Sequence, residues 1–111
     1  MPSLKFETSA VLSEEQEQTL ALEIGALAAD LLNKPLAVIQ VRIDSGMTIA
    51  FGGAAASDSA FLHIALIGEI KPEVKAELPA KFAALFEKYG VDPKRLFLNY
   101  QETAPTAWGW L

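Results

Sequence analysis

One succession of elements occurs twice in this chain, and it constrains the fold more than anything else. Ser3 to Val11 reads as a strand, because Leu4, Phe6 and Thr8 alternate with Lys5 and Glu7. Ser13 stands at an N-cap with Gln16 in the capping-box position. Glu14, Glu15 and Glu17 then occupy the positive first turn of a helix. Leu20, Ile24, Leu27 and Leu31 give that helix one apolar face. Asn33, Lys34 and Pro35 end it, and Ala37 to Ile43, rich in β-branched residues, reads as the next strand.

The second half repeats the order. Phe61 to Ile67 is an apolar strand, wide enough to be buried on both faces. Pro72 sits at a first helical position, and Val74, Leu78, Phe82, Leu85, Phe86 and Tyr89 mark a helix face. Pro79 inside that pattern predicts a kink or an irregular first half. Gly90 stops the helix, and Leu96 to Tyr100 is a fourth long strand. Between the halves, Met47 to Phe51 predicts a short strand. Gly52 and Gly53 break it, and Ala54 to Asp58 reads as a loop of small residues. Thr106 to Trp110 suggests a last short strand.

Each βαβ unit brings its two strands parallel through a right-handed crossover. The expected result is an α+β, two-layer domain: a four-stranded mixed sheet with two helices on one face. One domain spans 1–111, with pseudo-repeats 1–58 and 59–111. The opposite sheet face is then bare. A chain of 111 residues leaves much apolar surface unburied as a monomer. Size and fold both point to self-association.

Composition removes several functions. The formal charge is −5 with no basic run, which argues against a nucleic-acid partner or an anionic membrane surface. There are no cysteines, so disulfides, thiolate catalysis and Cys-based metal sites are excluded. A single His63 cannot make a multi-histidine metal site. Its apolar neighbours Phe61, Leu62 and Ile64 suit a core or interface histidine. No cofactor and no metal are expected. No membrane-spanning stretch and no secretory leader are visible, so the expected location is the cytoplasm, with export only by a route needing no signal peptide. Gly52-Gly53 lacks any Walker or dinucleotide pattern and reads as a turn.

An ordered set of segments resembles the macrophage migration inhibitory factor and dopachrome tautomerase family. It comprises Pro2, Asn33-Lys34-Pro35, Met47-Thr48-Ile49-Ala50-Phe51-Gly52-Gly53, Leu62-His63 with Ile67-Gly68, Asp92-Pro93-Lys94-Arg95, Leu98-Asn99-Tyr100 and Trp108-Gly109-Trp110. Each is weak alone, whereas their order and spacing across nearly the whole chain are specific. The resemblance implies a homotrimer of the tautomerase fold, whose three sheets enclose a channel and whose active sites lie at subunit boundaries. It implies cofactor-free keto–enol tautomerisation of a small aromatic 2-oxo acid, such as phenylpyruvate, or of a dopachrome-type substrate. The alternative is a non-catalytic, cytokine-like or ligand-binding trimer with vestigial activity and an unidentified protein receptor.

Residue by residue, the resemblance makes Pro2 the catalytic base once Met1 is removed. A secondary amine in a partly apolar pocket has its charged form disfavoured and can carry a proton near neutral pH. Proline also tolerably begins a strand, so the dipeptide alone decides nothing. Lys34 matches the lysine that holds a substrate carboxylate, although a lysine there also suits a helix C-terminus. Ile67 matches a position whose backbone amide meets the same carboxylate. Asn99 matches an asparagine that bonds a substrate ring hydroxyl. It equally suits a polar group closing strand ladders at a subunit edge. Phe97 departs from the usual tyrosine of the neighbouring subunit, keeping the ring without the hydroxyl. Trp108 replaces a smaller aliphatic residue, and Trp110 matches the expected indole. Both indoles also suit a sealed subunit boundary. An aromatic residue found further on in some members has no counterpart after Leu111. The Cys-x-x-Cys of other members falls near Ser59 and Leu62, so their thiol chemistry does not transfer.

Overall fold

The computed structural model describes residues 1–111. In chain order the elements are β1 (Ser3–Thr8), α1 (Glu14–Leu32), β2 (Gln40–Asp44), β3 (Ile49–Phe51), β4 (Ala54–Ala56), β5 (Ala60–Ile67), α2 (Pro72–Glu87) and β6 (Leu96–Thr103). The main sheet has the order β2-β1-β5-β6. Strands β1 and β2 run parallel, as do β5 and β6, and β1 meets β5 antiparallel. The α+β reading holds: two βαβ units share one mixed four-stranded sheet.

The capping box forms as the sequence implies. Gln16 N–H donates to Ser13 Oγ at 3.1 Å, and Ser13 N–H donates to Gln16 Oε1 at 2.9 Å. Helix α1 ends at Asn33, which takes the left-handed region at φ 53°, a conformation asparagine tolerates. Helix α2 starts on Pro72 and runs unbroken through Pro79, against the expected irregularity. Pro79 faces solvent, where water can satisfy the carbonyl that loses its helical donor.

Leu4 and Phe6 of β1 and Leu62, Ile64 and Leu66 of β5 pack under Leu20, Ile24, Leu78, Phe82 and Phe86 of the helices. Phe86 anchors this layer, its ring centroid 4.2 Å from Phe6 and 5.6 Å from Phe82. Such ring pairs add about 0.5–1.5 kcal/mol beyond area burial. At the closed end of the sheet, Thr8 Oγ1 donates to the Ser59 carbonyl at 2.9 Å, joining β1 to the start of β5.

Three local expectations change. The segment Ala54–Ala56 is a strand, paired with Ile49–Phe51. Gly52 and Gly53 adopt φ of 63° and 82°, the two positive values a tight type I′ hairpin needs. Alanine carries little strand signal, so the pairing was invisible beforehand. Residues 37–39 are not strand, because Pro35 opens a 3₁₀ turn over Leu36–Val38. Strand β5 is buried on one face only within the protomer, with a strict alternation along Ala60–Ile67.

The uncovered face carries Gln40, Arg42 and Asp44 of β2, Ser3, Lys5 and Glu7 of β1, Phe61, His63, Ala65 and Ile67 of β5, and Phe97, Asn99 and Gln101 of β6. Strand register groups these side chains into rows. Arg42, Lys5, His63 and Asn99 lie side by side, as do Asp44, Glu7, Phe61 and Phe97. Phe97 is 56% exposed.

The two helices are tied outside the core by one polar cluster. The Tyr89 hydroxyl donates to the Glu23 carboxylate, and Lys88 Nζ reaches the same carboxylate at 3.1 Å. The Tyr89 bond, then the Lys88 bond, hold Glu23 below the usual carboxylate range. Bonding to Glu23 and burial push Tyr89 up to about 12. Glu23 therefore contributes stability above the ordinary glutamate range, lost as pH falls. Tyr89 contributes below its ordinary ionisation, and that is lost as pH rises through its raised value. Tyr89→Phe is expected to cost about 0.5–1.5 kcal/mol near neutral pH, since the cluster is partly exposed. Urea titrations at acid, neutral and alkaline pH check this: the difference from wild type should peak at neutral pH, and a difference absent there would show the bond contributes nothing.

Candidate active site

The sheet topology gathers several chain segments at one end. Because β1 and β2 are parallel, the start of β1 lies beside the start of β2, with Ser3 opposite Gln40. Because β5 runs the other way, its last turn of chain lies there too, with Ala65 opposite Ser3 and Ile67 opposite Thr103. The C-terminal tail leaves β6 at that same end.

Pro2 is pinned in this corner. Its carbonyl accepts from Gln40 N–H at 3.1 Å, and its ring is fully buried. Ser3 Oγ donates to Gln40 Oε1 at 2.8 Å, fixing the next residue along. Beside them is a cavity of about 390 Å³, lined by Met1, Pro2, the 37–40 segment and Trp108, Gly109 and Trp110. The expected final strand at Thr106–Trp110 does not form. Pro105 has no N–H to give a ladder, and the chain makes a 3₁₀ turn over Pro105–Ala107. That turn delivers both indoles to the N-terminal proline.

Lys34 does not line this cavity. It lines a separate one of about 280 Å³, with Asn33 at the end of α1 and Glu69, Ile70 and Lys71 of the β5–α2 loop. Its charge nevertheless reaches the N-terminus. The Met1 amine is held below the ordinary α-amine value, first by burial and then by Lys34. Met1 is attached in this structure, so the Pro2 nitrogen is an amide here.

The remaining predicted residues are placed differently. Ile67 ends β5 at the same end of the sheet but lines neither cavity. Phe97 lies opposite Phe61, towards the far end, and its ring packs on Phe51 with centroids 5.5 Å apart. Asn99 lies opposite His63, in mid-sheet. Strand spacings of about 3.3 Å along and 4.8 Å across put Phe97 roughly 15–20 Å from Pro2 within one protomer. One chain therefore assembles Pro2, Trp108 and Trp110, sets Lys34 and Ile67 nearby, and leaves Phe97 and Asn99 elsewhere. Reading the 37–39 segment as strand concealed Ala37, Val38 and Ile39 as cavity wall. Pro35 was the available signal for a turn there.

The model of the macrophage migration inhibitory factor family matches residues 1–111. The chain belongs to that family. The macrophage migration inhibitory factor homolog of Trichinella spiralis is 26% identical over 111 residues, covering 99% of this chain and 96% of the relative. The solved migration inhibitory factor-like protein of Entamoeba histolytica superposes with a TM-score of 0.89 at 23% identity, over 98% of this chain and 94% of that one. A protein solved after inactivation by 2-oxo-3-pentynoate superposes at 0.86 and 14% identity, over 97% of this chain and 90% of that one. At such identities the structural matches establish the tautomerase fold.

In this family member the influence of Lys34 on the N-terminal amine is directly measurable. In protein bearing Met1, Lys34→Ala is expected to raise the pKa of the α-amine back towards its ordinary value, because one of its two lowering causes is gone. The rate of amine acylation against pH reports that value. A titration curve unmoved by the substitution would mean that burial alone sets it.

Proposed function

We propose that this chain is a cofactor-free keto–enol tautomerase, acting on a small aromatic 2-oxo acid with the Pro2 nitrogen as general base. The observation that carries the reading is the buried Pro2 at the wall of an indole-lined cavity, at an N-terminus whose amine the Lys34 charge reaches, in a chain of this family. Proline as second residue generally permits removal of Met1, which frees a secondary amine. The surroundings that lower the Met1 amine would act on that amine too and favour its neutral form.

The chemistry then needs one base. The neutral nitrogen takes the proton from the carbon next to the keto group, while the C–H electrons form the C=C bond of the enol and the carbonyl oxygen becomes O⁻. The same proton, returned to that oxygen, completes the shift, and the reverse reaction runs through the same steps. Lys34 supplies a compact positive charge for the carboxylate, and the Ile67 amide is the second partner proposed for it. Trp108 and Trp110 offer apolar walls for an aromatic ring. The inactivation of one protein of this fold by 2-oxo-3-pentynoate, itself a 2-oxo acid, supports that substrate class.

The site is proposed to be completed by a neighbouring subunit of a homotrimer, which would bring Phe97 and Asn99. The bare sheet face and the distance between Phe97 and Pro2 support this. One observation favours a second reading, a ligand-binding trimer with weak activity: Phe97 lacks the hydroxyl usual there. A net loss of about 0.5–1.5 kcal/mol per hydrogen bond weakens a site without abolishing it.

The test uses both N-terminal forms, each verified by intact mass. Protein with free Pro2 is expected to tautomerise phenylpyruvate. Protein retaining Met1 is expected to be inactive, because an amide nitrogen has no usable lone pair. Lys34→Ala should raise KM more than it lowers kcat. Equal rates from the two forms would eliminate Pro2 as the base.

A further inference from the structure

The β5–α2 turn, residues 68–71, forms one wall of the cavity that holds Lys34. It contains Gly68 at φ 91°, a conformation glycine adopts without steric cost. Three contacts fix it and the strand end before it, and all come from the last two residues of β6. Gly68 N–H donates to the Thr103 carbonyl at 2.9 Å, and Thr103 Oγ1 donates to the Leu66 carbonyl at 2.8 Å. The third contact is a carboxylate. Glu102 Oε2 accepts from Ile70 N–H at 2.7 Å, and its Oε1 accepts from Lys75 Nζ at 2.9 Å.

The two halves of the Glu102 contact do different things. An ion pair this exposed contributes little by itself. The Ile70 bond, however, ties the middle of the turn to the sheet. Lys75 is one turn into α2, and its own N–H donates to the Lys71 carbonyl at 3.0 Å. Glu102 thus grips the turn from within and from the helix that follows it. Lys75 is further restrained by the Tyr100 ring, 5.9 Å from its ammonium. Lys75 and the Ile70 N–H also hold the Glu102 carboxyl below its usual range, which keeps it a charged acceptor at neutral pH.

We infer that Glu102 is a positioning residue for the anion end of the site: by clamping Ile70 and Lys75 it holds the turn that walls the Lys34 cavity and follows Ile67. The inference rests on the tautomerase reading above and adds a residue to it. The clamp grips Ile70 and Lys75 and does not line the cavity beside Pro2, so it serves binding of the carboxylate rather than proton transfer. Loosening it allows the turn and the Lys34 ammonium to sample geometries that do not meet the substrate. The loss falls on ground state and transition state alike and appears in KM.

The test uses free-Pro2 protein with three substitutions: Glu102→Ala, Glu102→Gln and Lys75→Ala. Binding of phenylpyruvate is followed by quenching of tryptophan emission, since Trp108 and Trp110 line the cavity beside Pro2. Turnover gives kcat and KM, and amide hydrogen exchange reports the Ile70 N–H. Glu102→Ala is expected to speed Ile70 exchange and to raise Kd and KM about five-fold, with kcat within about two-fold of wild type. Glu102→Gln keeps an oxygen for the Ile70 N–H, so it should recover most of the binding. Lys75→Ala should fall between. Should the alanine variant not fold, Glu102→Asp, one methylene shorter, stands in for it with the same expectation. Faster Ile70 exchange with unchanged Kd and KM would overturn the inference, leaving Glu102 a purely structural clamp. Unchanged Ile70 exchange would overturn it as well. A wild-type protein that binds phenylpyruvate without turning it over would remove the tautomerase reading while leaving the effect on Kd to decide the role of Glu102. A wild type that neither binds nor turns it over would remove both.

Discussion

Two βαβ units put both helices on the same side of one sheet, and every other feature of the molecule follows from that asymmetry. The covered face receives Leu4, Phe6, Leu62, Ile64 and Leu66, and these meet the helices in a single core. The opposite face receives the intervening residues because side chains alternate along a strand. Its register sets a row of cationic and polar groups, Arg42, Lys5, His63 and Asn99, beside a row that passes from Asp44 and Glu7 to Phe61 and Phe97. Such a surface is too polar to be a second core. Its two phenylalanines still gain by losing contact with water, as burial of apolar area is favourable wherever it occurs. A homotrimer in which these faces meet is the proposed resolution.

The same topology explains where the chemistry can sit. A sheet of mixed direction collects unlike segments at each end: here the start of β1, the approach to β2, the end of β5 and the tail after β6. Pro2 is held there by a backbone bond to Gln40 and by burial of its ring. The anion side is built differently. Lys34 follows a helix terminus, and its opposite wall is a turn held by Glu102 and Thr103. Pro2 and Lys34 are thus set by separate elements.

Much of this was legible in the sequence. The alternation in β1, the capping box at Ser13 and the helix stop at Asn33 are local signals with local causes, and each appears in the structure. The pairing of Ala54–Ala56 with Ile49–Phe51 was not legible, because three alanines have no strand pattern and the glycine turn fixed the outcome. The tail illustrates a different limit. The sequence singles out Trp108 and Trp110, yet Pro105 turns the chain before them and denies the expected strand. Gathering Pro2, Trp108 and Trp110 required non-local geometry. The clamp at Glu102 left no signature at all, since a glutamate at a strand end beside a distant lysine looks like any solvated charge. Phe97 and Asn99 stand apart from Pro2 in a single chain.

The account therefore turns on whether the uncovered face is an interface. Sedimentation equilibrium on the purified chain at micromolar concentration asks this without reference to substrate or N-terminal processing. The account predicts one species with three times the 12.0 kDa chain mass. A stable species of 12.0 kDa across that range would contradict it, leaving Phe97 and Asn99 without a route to Pro2.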